Sequence, residues 1–174
     1  QYVKTAHLKI PMSGKKYNKK NFIAEIASSH NGSKKNLQKL VEDLINSNIG
    51  AIKLQIFNYQ HLVHKSYKYY DVLKRIALPK KFIEKIIHLI LKAKKDVVLE
   101  PFDNESLKFC KKFGNKISIK ISSSDNTNKQ LIKESLTVFK KVFISINGMD
   151  LKKIKKVLGK NITHKRLILT YGFQ

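Results

Sequence analysis

The stretch Ala51-Ile-Lys-Leu-Gln-Ile-Phe57 alternates between apolar and polar side chains, which predicts a β-strand with one apolar face. Its isoleucines and leucine share that face, whereas Lys53 and Gln55 lie on the other. The stretch Ile117-Ser-Ile-Lys-Ile-Ser122 repeats the pattern, with two serines and Lys120 on its polar face. Both strands therefore bury one face and direct polar side chains from the other.

The segment Phe22-Ile-Ala-Glu-Ile-Ala-Ser-Ser-His-Asn-Gly32 precedes the first of these strands and joins a short apolar run to a polar turn. A strand that leads into a helix has this pattern, and an amphipathic helix is predicted from Ser33 to Asn48. Further strands are predicted over 96–102, 117–122, 142–147 and 167–171, and further helices over 82–90, 104–113, 127–136 and 151–158. Six strands alternating with five helices indicate parallel βαβ units.

The polar faces of these strands favour a barrel over a doubly wound sheet. Helices would cover both faces of a doubly wound sheet, so Lys53, Gln55 and Lys120 would be buried without partners at a high cost. A (β/α)₈ barrel of the TIM type places them in a polar interior that opens at the carboxyl ends of the strands. We therefore predict an α/β fold with a barrel architecture over residues 21–174, preceded by a small hairpin in residues 1–20.

The predicted barrel is incomplete. Closure needs eight strands and typically about 250 residues, whereas only six strands are predicted in these 174 residues. We therefore expect the chain to be a fragment whose first and sixth strands form open edges. Open edges beside an apolar face predict association or aggregation of the isolated chain.

The composition narrows the choice of function. The net charge of +24 suggests a nucleic-acid site, but Arg75 and Arg166 are the only arginines and the lysines are scattered. We interpret the excess lysine as solvated surface, so nucleic-acid binding is not expected. No run is apolar enough to span a bilayer. Cys110 is the only cysteine, so no internal disulfide can form, which is typical of a cytoplasmic protein.

An ordered set of motifs, one at each strand end, resembles the sialic acid (N-acetylneuraminate) synthase family. The motifs are Ala24-Glu25-Ile26 with His30 and Gly32, Lys53-Leu-Gln55, Tyr70 to Pro79, Pro101-Phe102-Asp103, Lys120-Ile-Ser-Ser and Asn147-Gly148-Met149. The resemblance implies the condensation of phosphoenolpyruvate with an N-acetylated aminosugar, such as N-acetylmannosamine, to a sialic acid or another nonulosonic acid. It also implies a homodimer and a divalent metal, Mn²⁺ or Mg²⁺. The family's two histidine ligands lie beyond the sixth strand, so no metal ligand is expected here.

By this resemblance, Lys53, Lys120 and Ser123 bind phosphoenolpyruvate, whose phosphate and carboxylate need cations and hydroxyl donors. Gln55 matches a family position that hydrogen-bonds the sugar, although it could also be a polar filler of the barrel. The two lysines could alternatively pair with Glu25 and Glu100 as structural ions.

The resemblance assigns catalytic roles to two carboxylates. Glu25 matches an active-site carboxylate, and Asp125 stands where the family has a glutamate, although Asp125 could instead cap a helix or form an Asx turn. Ser145 and Asn147 lie near positions that contact substrate in the family. Asn147 replaces a usual threonine, and Ser145 is one residue out of register, which a bulge could correct. Four other histidines show no ligand spacing and are interpreted as surface residues: His61, His64, His88 and His164.

Glu100 departs from the family, which usually has serine and threonine before the Pro-Phe pair. Alternation directs Glu100 into the barrel, towards Lys53 and Lys120. A carboxylate beside a substrate phosphate is repulsive, so we expect altered substrate binding rather than complete loss. A non-catalytic basic domain that binds anions through its lysines remains the alternative function.

Overall fold

Six parallel strands form one sheet in the computed structural model, which describes residues 22–172. Each strand pairs with the next one along the chain, so the order in the sheet is the order in the sequence. The strands are β1 (Ile23–Glu25), β2 (Ala51–Ile56), β3 (Asp96–Pro101), β4 (Ser118–Ile121), β5 (Val142–Ser145) and β6 (Leu167–Thr170). The predicted hairpin over 1–20 lies outside the described residues.

Helices connect the strands and cover one face of the sheet. They are α1 (Lys34–Asn46), α2 (Tyr59–Leu62), α3 (Tyr70–Ile76), α4 (Lys80–Lys92), α5 (Asn104–Lys111), α6 (Lys129–Val138) and α7 (Leu151–Leu158), with 3₁₀ helices at Gly114–Lys116 and Gly159–Thr163. Four of these helices begin at a side chain that accepts a hydrogen bond from the backbone three residues later: Ser33, Asp103, Asn128 and Asp150.

The sequential strand order confirms the barrel fold. Parallel crossovers are right-handed, so a sheet wound in one direction keeps all its helices on one face and curls around the other. The helix-facing side chains form the apolar core with buried residues of the helices, as Ile52 and Ile119 do. The opposite face has Lys53, Glu100 and Lys120, as the alternation predicts. The described residues are thus five β/α units and the sixth strand of a (β/α)₈ barrel, with β1 and β6 as the two edges of the sheet.

The predicted boundaries are less accurate than the element types. The fourth, fifth and sixth strands are each one or two residues shorter than predicted, and α6 begins after its cap at Asn128 rather than at Thr127. The short helices α2 and α3 were not predicted. Neither contains a buried residue, so neither has the apolar stripe by which a helix is recognised in a sequence.

Within residues 22–172, no helix has the length and apolar character needed to cross a membrane.

Candidate active site

Lys53 lies at the centre of a charged cluster inside the barrel. Its Nζ is 2.5 Å from Glu25 Oε1 on β1 and 2.5 Å from Glu100 Oε2 on β3. The side chain of Lys53 is only 5% exposed. Lys53 is the strand partner of Glu25, and its strand β2 lies between β1 and β3. One ammonium group therefore reaches carboxylates on both neighbouring strands.

Glu100 connects Lys53 to a second lysine. Its Oε1 is 2.9 Å from Lys120 Nζ on β4, while its Oε2 contacts Lys53. The Glu100 side chain is 3% exposed, whereas that of Lys120 is 27% exposed. One buried carboxylate therefore bridges two ammonium groups from strands on either side. The prediction that Glu100 points into the barrel towards both lysines is confirmed.

The cluster favours the charged state of its buried members. Burial disfavours ionised Glu100, but hydrogen bonds and positive charges from Lys53 and Lys120 outweigh that effect and hold the pKa of Glu100 below its ordinary 4.5. Burial likewise disfavours charged Lys53, but its hydrogen bonds to Glu100 and Glu25 prevail and raise the pKa of Lys53 above 10.5. Two ammonium groups thus balance two carboxylates in the interior.

Two members of the cluster are accessible to a ligand. The Glu25 side chain is 44% exposed although it is paired with Lys53. Gln55 Nε2 lies 3.4 Å from Glu25 Oε1 and 3.4 Å from Glu100 Oε2. Gln55 is half-buried, so its amide can also hydrogen-bond a polar ligand.

Asp125 lies in the turn after β4. Its Oδ2 accepts hydrogen bonds of 3.2 Å from the hydroxyls of Ser122 and Ser124. Helix α6 is capped by Asn128, so Asp125 is not its N-cap. The neighbouring Ser123 is exposed and makes no side-chain hydrogen bond within the described chain. The adjacent Ser122, by contrast, is buried and hydrogen-bonds Asp125.

The residues predicted at the end of β5 have structural contacts of their own. Ser145 is buried, and its backbone carbonyl accepts a 2.9 Å hydrogen bond from Nδ2 of Asn126. Asn147 Oδ1 accepts a 3.0 Å hydrogen bond from the Gly172 backbone. Asn126 was not selected from the sequence. Its place in a loop beside Asp125 gives no periodic signal, although it is only 5% exposed.

The turn after β1 is fixed by His30 and Gly32. His30 Nδ1 accepts a 3.0 Å hydrogen bond from the Gly32 backbone, and burial lowers the pKa of this imidazole. Gly32 has φ +77°, and a Cβ there would lie 2.1 Å from the carbonyl oxygen of Arg75 at the end of α3. Only glycine fits this close approach. His30 therefore stabilises the turn by accepting a backbone hydrogen bond.

A sequence profile described as the NeuB family matches residues 40–169, which is most of the chain.

The chain belongs to the NeuB family.

Solved structures of other proteins share the fold of this NeuB-family chain. An N-acetylneuraminic acid (sialic acid) synthetase from Leptospira borgpetersenii, crystallised with citrate, has a TM-score of 0.72 at 21% identity, over 86% of this chain and 52% of that one. A spore coat polysaccharide biosynthesis protein E from Chromobacterium violaceum has a TM-score of 0.72 at 24% identity, over 86% and 48%. The chain thus spans about half the length of these proteins. No curated protein sequence matches it.

A second charged cluster of the NeuB-family chain lies among the loops after β2 and β3. His61, Asp103 and Glu105 are the one group of three potential metal ligands within residues 22–172. His61 Nδ1 is 3.8 Å from Asp103 Oδ1 and 3.8 Å from Glu105 Oε2. The interpretation of His61 as a surface residue is consistent with its exposure, but its acidic neighbours were not predicted.

These ligand atoms already have partners. Asp103 caps α5 by accepting a 2.8 Å hydrogen bond from the Ser106 backbone, and its other oxygen accepts one of 2.7 Å from the Asn58 backbone. Glu105 pairs with Lys80 at 2.5 Å. A divalent ion would compete with these donors for the carboxylate oxygens and would lie beside a lysine ammonium. This group of described residues therefore does not fit the divalent metal that the family resemblance implies.

Proposed function

We propose that the protein is a phosphoenolpyruvate-dependent transferase that forms a carbon–carbon bond to an N-acetylated aminosugar. An N-acetylmannosamine-like acceptor would yield a sialic acid or a related nonulosonic acid. One observation supports this most directly: Lys53 and Lys120 present two ammonium groups to a single position inside the barrel. Membership of the NeuB family supports the same class of sugar biosynthesis.

The two lysines supply what phosphoenolpyruvate requires. Its phosphate and carboxylate need cations held in a site that excludes water, where charge-assisted hydrogen bonds are strong. Lys120 is partly exposed at the mouth of the barrel and would meet the substrate first, whereas Lys53 lies deeper. Ser123 and Ser145 remain predicted contacts of this substrate.

The remaining predicted residues would act on the sugar. Gln55 presents an amide that can hydrogen-bond the acetamido group or a hydroxyl. Glu25 is half-exposed and can accept a proton or orient a hydroxyl near the reacting carbons. Asp125 is proposed as the second carboxylate, with its oxygen held by two serine hydroxyls. The contact of Asn147 with substrate, the divalent metal, the homodimer and the cytoplasmic location remain predictions.

Calorimetric titration of phosphoenolpyruvate tests the proposal. Lys53→Ala and Lys120→Ala should each weaken binding by about 2–5 kcal/mol, because each removes a charge-assisted contact to a buried anion. The aminosugar affinity should change little. Lys39→Ala is the matched control, since Lys39 is 75% exposed and pairs with Asp43 on the surface of α1. Unchanged phosphoenolpyruvate affinity in both variants would refute the assignment.

A non-catalytic anion-binding domain is the second candidate. It is favoured because both barrel lysines already pair with carboxylates of the protein. Glu100 already contacts both Lys53 and Lys120, so these residues can be structural ions. The anion-binding surface would then be the lysines outside the barrel. Salt-sensitive binding of a polyanion such as heparin, unaffected by phosphoenolpyruvate, would support this function over the first.

A further inference from the structure

We infer that Glu100 occupies the position of a substrate anion and thereby lowers the affinity of the site for multiply charged anions more than for singly charged ones. This inference rests on the proposed function only in assigning the ligand site to Lys53 and Lys120. It concerns Glu100, a position at which this chain differs from the family that it resembles.

The contacts of Glu100 are those that a bound anion would make. Its two oxygens lie 2.5 Å and 2.9 Å from the ammonium groups of Lys53 and Lys120, which are distances of charge-assisted hydrogen bonds. An incoming carboxylate or phosphate would seek the same two donors. Because Glu100 is 2% exposed and belongs to a central strand, its backbone cannot move away without disturbing the sheet. A ligand must therefore bind beside the carboxylate or replace it on at least one lysine.

The charge balance explains why this should discriminate between anions. Lys53 and Lys120 contribute two positive charges, and Glu25 and Glu100 contribute two negative charges. Without Glu100 the cluster would have a net charge of +1. With Glu100, each further negative charge on a ligand is opposed at close range in a buried site. The loss of affinity caused by Glu100 therefore rises with the charge of the ligand, and it is larger for phosphoenolpyruvate than for pyruvate.

Glu25 provides a matched comparison within the same cluster. It also contacts Lys53 at 2.5 Å, but it does not bridge to Lys120 and its side chain is 44% exposed, against 3% for Glu100. Removing the Glu25 charge changes the net charge equally. Water screens an exposed carboxylate far more than a buried one, so the effect on ligand affinity should be much smaller.

The experiment compares Glu100→Gln with Glu25→Gln by calorimetric titration of three probes: phosphoenolpyruvate, pyruvate and inorganic phosphate. Glu100→Gln should tighten phosphate and phosphoenolpyruvate by about tenfold, and pyruvate by less than about threefold. Glu25→Gln should change each by less than about threefold. Adding Lys120→Met to Glu100→Gln should remove the gain, because the second ammonium group is then missing.

Inorganic phosphate separates this inference from the proposed function. If Glu100→Gln binds inorganic phosphate more tightly but no variant binds phosphoenolpyruvate, the role of Glu100 is supported and the synthase function is refuted. Phosphoenolpyruvate binding that is lost in Lys53→Ala but unimproved in Glu100→Gln would support the synthase and overturn the inference. If Glu100→Gln does not fold, Glu100→Thr offers a residue suited to a strand. Failure of both variants to fold would also overturn the inference, since Glu100 would then be a structural ion.

Discussion

The two charged clusters of this protein both bring acidic and basic side chains together, but in different physical settings. Inside the barrel, Lys53 and Glu100 are almost fully buried and connect neighbouring strands. Around the start of α5, Asp103 accepts backbone hydrogen bonds, while Glu105 and His61 are about half exposed. The interior cluster depends on charge pairing, because a buried ion without a partner is very costly. The outer cluster depends mainly on capping, in which one carboxylate satisfies free backbone donors.

This difference teaches that proximity of charged groups does not define a ligand site. The outer carboxylate Asp103 has both oxygens taken by backbone donors of the fold, those of Asn58 and Ser106. The interior carboxylate Glu100 is instead held by two side chains, Lys53 and Lys120, that serve no backbone group in the described structure. Side chains held only by each other can exchange partners with a ligand, whereas a capping carboxylate cannot leave without weakening its helix.

The largest expected effect is that of breaking the interior cluster. Lys53→Ala should lower the free energy of unfolding by about 3–5 kcal/mol, because it leaves Glu100 buried with Lys120 as its remaining cation. Urea denaturation measures the change. In the surface pair of α1, Lys39→Ala should cost less than about 1 kcal/mol. Equal effects of the two substitutions would show that burial does not distinguish the interior cluster.

Lowering the pH should reduce the contribution of the interior cluster to the free energy of unfolding, by a smaller amount than Lys53→Ala does. The pKa of Glu100 is lowered in the folded state, so its contribution to stability is complete above about pH 4.5 and is lost as the pH falls through the lower folded pKa. The wild-type protein should therefore lose stability below pH 4.5 more steeply than Glu100→Gln does. The pKa of Asp103 is also lowered, by backbone hydrogen bonds that outweigh its burial, so both proteins share that loss. Parallel pH profiles from urea denaturation would contradict the prediction.

The smallest expected effect is at the cap of α5. Asp103→Ala should cost about 1–2 kcal/mol, because the Ser106 backbone loses its acceptor. Asp103→Asn retains a capping oxygen and should recover most of that loss. Thermal denaturation in the presence and absence of Mn²⁺ completes the comparison. A cluster that serves as a cap gains no stability from the metal, so a rise in Tm that Asp103→Asn abolishes would show that the outer cluster binds the ion.

The sequence predicted what depends on strand alternation. Successive side chains of a strand point to opposite faces, so the face on which each residue lies depends only on its neighbours in the chain. The inward positions of Lys53, Glu100 and Lys120 could therefore be predicted. Their meeting across strands followed from the parallel βαβ order. The fold and the centre of the candidate site were therefore predictable.

Contacts within the loops were not predictable in this way. The hydrogen bond from the Asn58 backbone to Asp103 joins residues 45 positions apart through two irregular segments. The turn after β4 buries Asn126 and exposes Ser123, and no periodic pattern encodes that choice. Such contacts depend on the path of the whole loop rather than on side-chain alternation.

The balanced interior has a consequence for the rate at which anions arrive. Because the four charges around Lys53 cancel, the net charge of +24 resides elsewhere on the protein. A field of that sign accelerates the diffusional encounter of any anion, and salt weakens it. The lifetime of the complex is set instead by contacts within the barrel. For the anionic ligand proposed above, the association rate is therefore expected to depend on the surface lysines and the dissociation rate on the lysines beside Glu100.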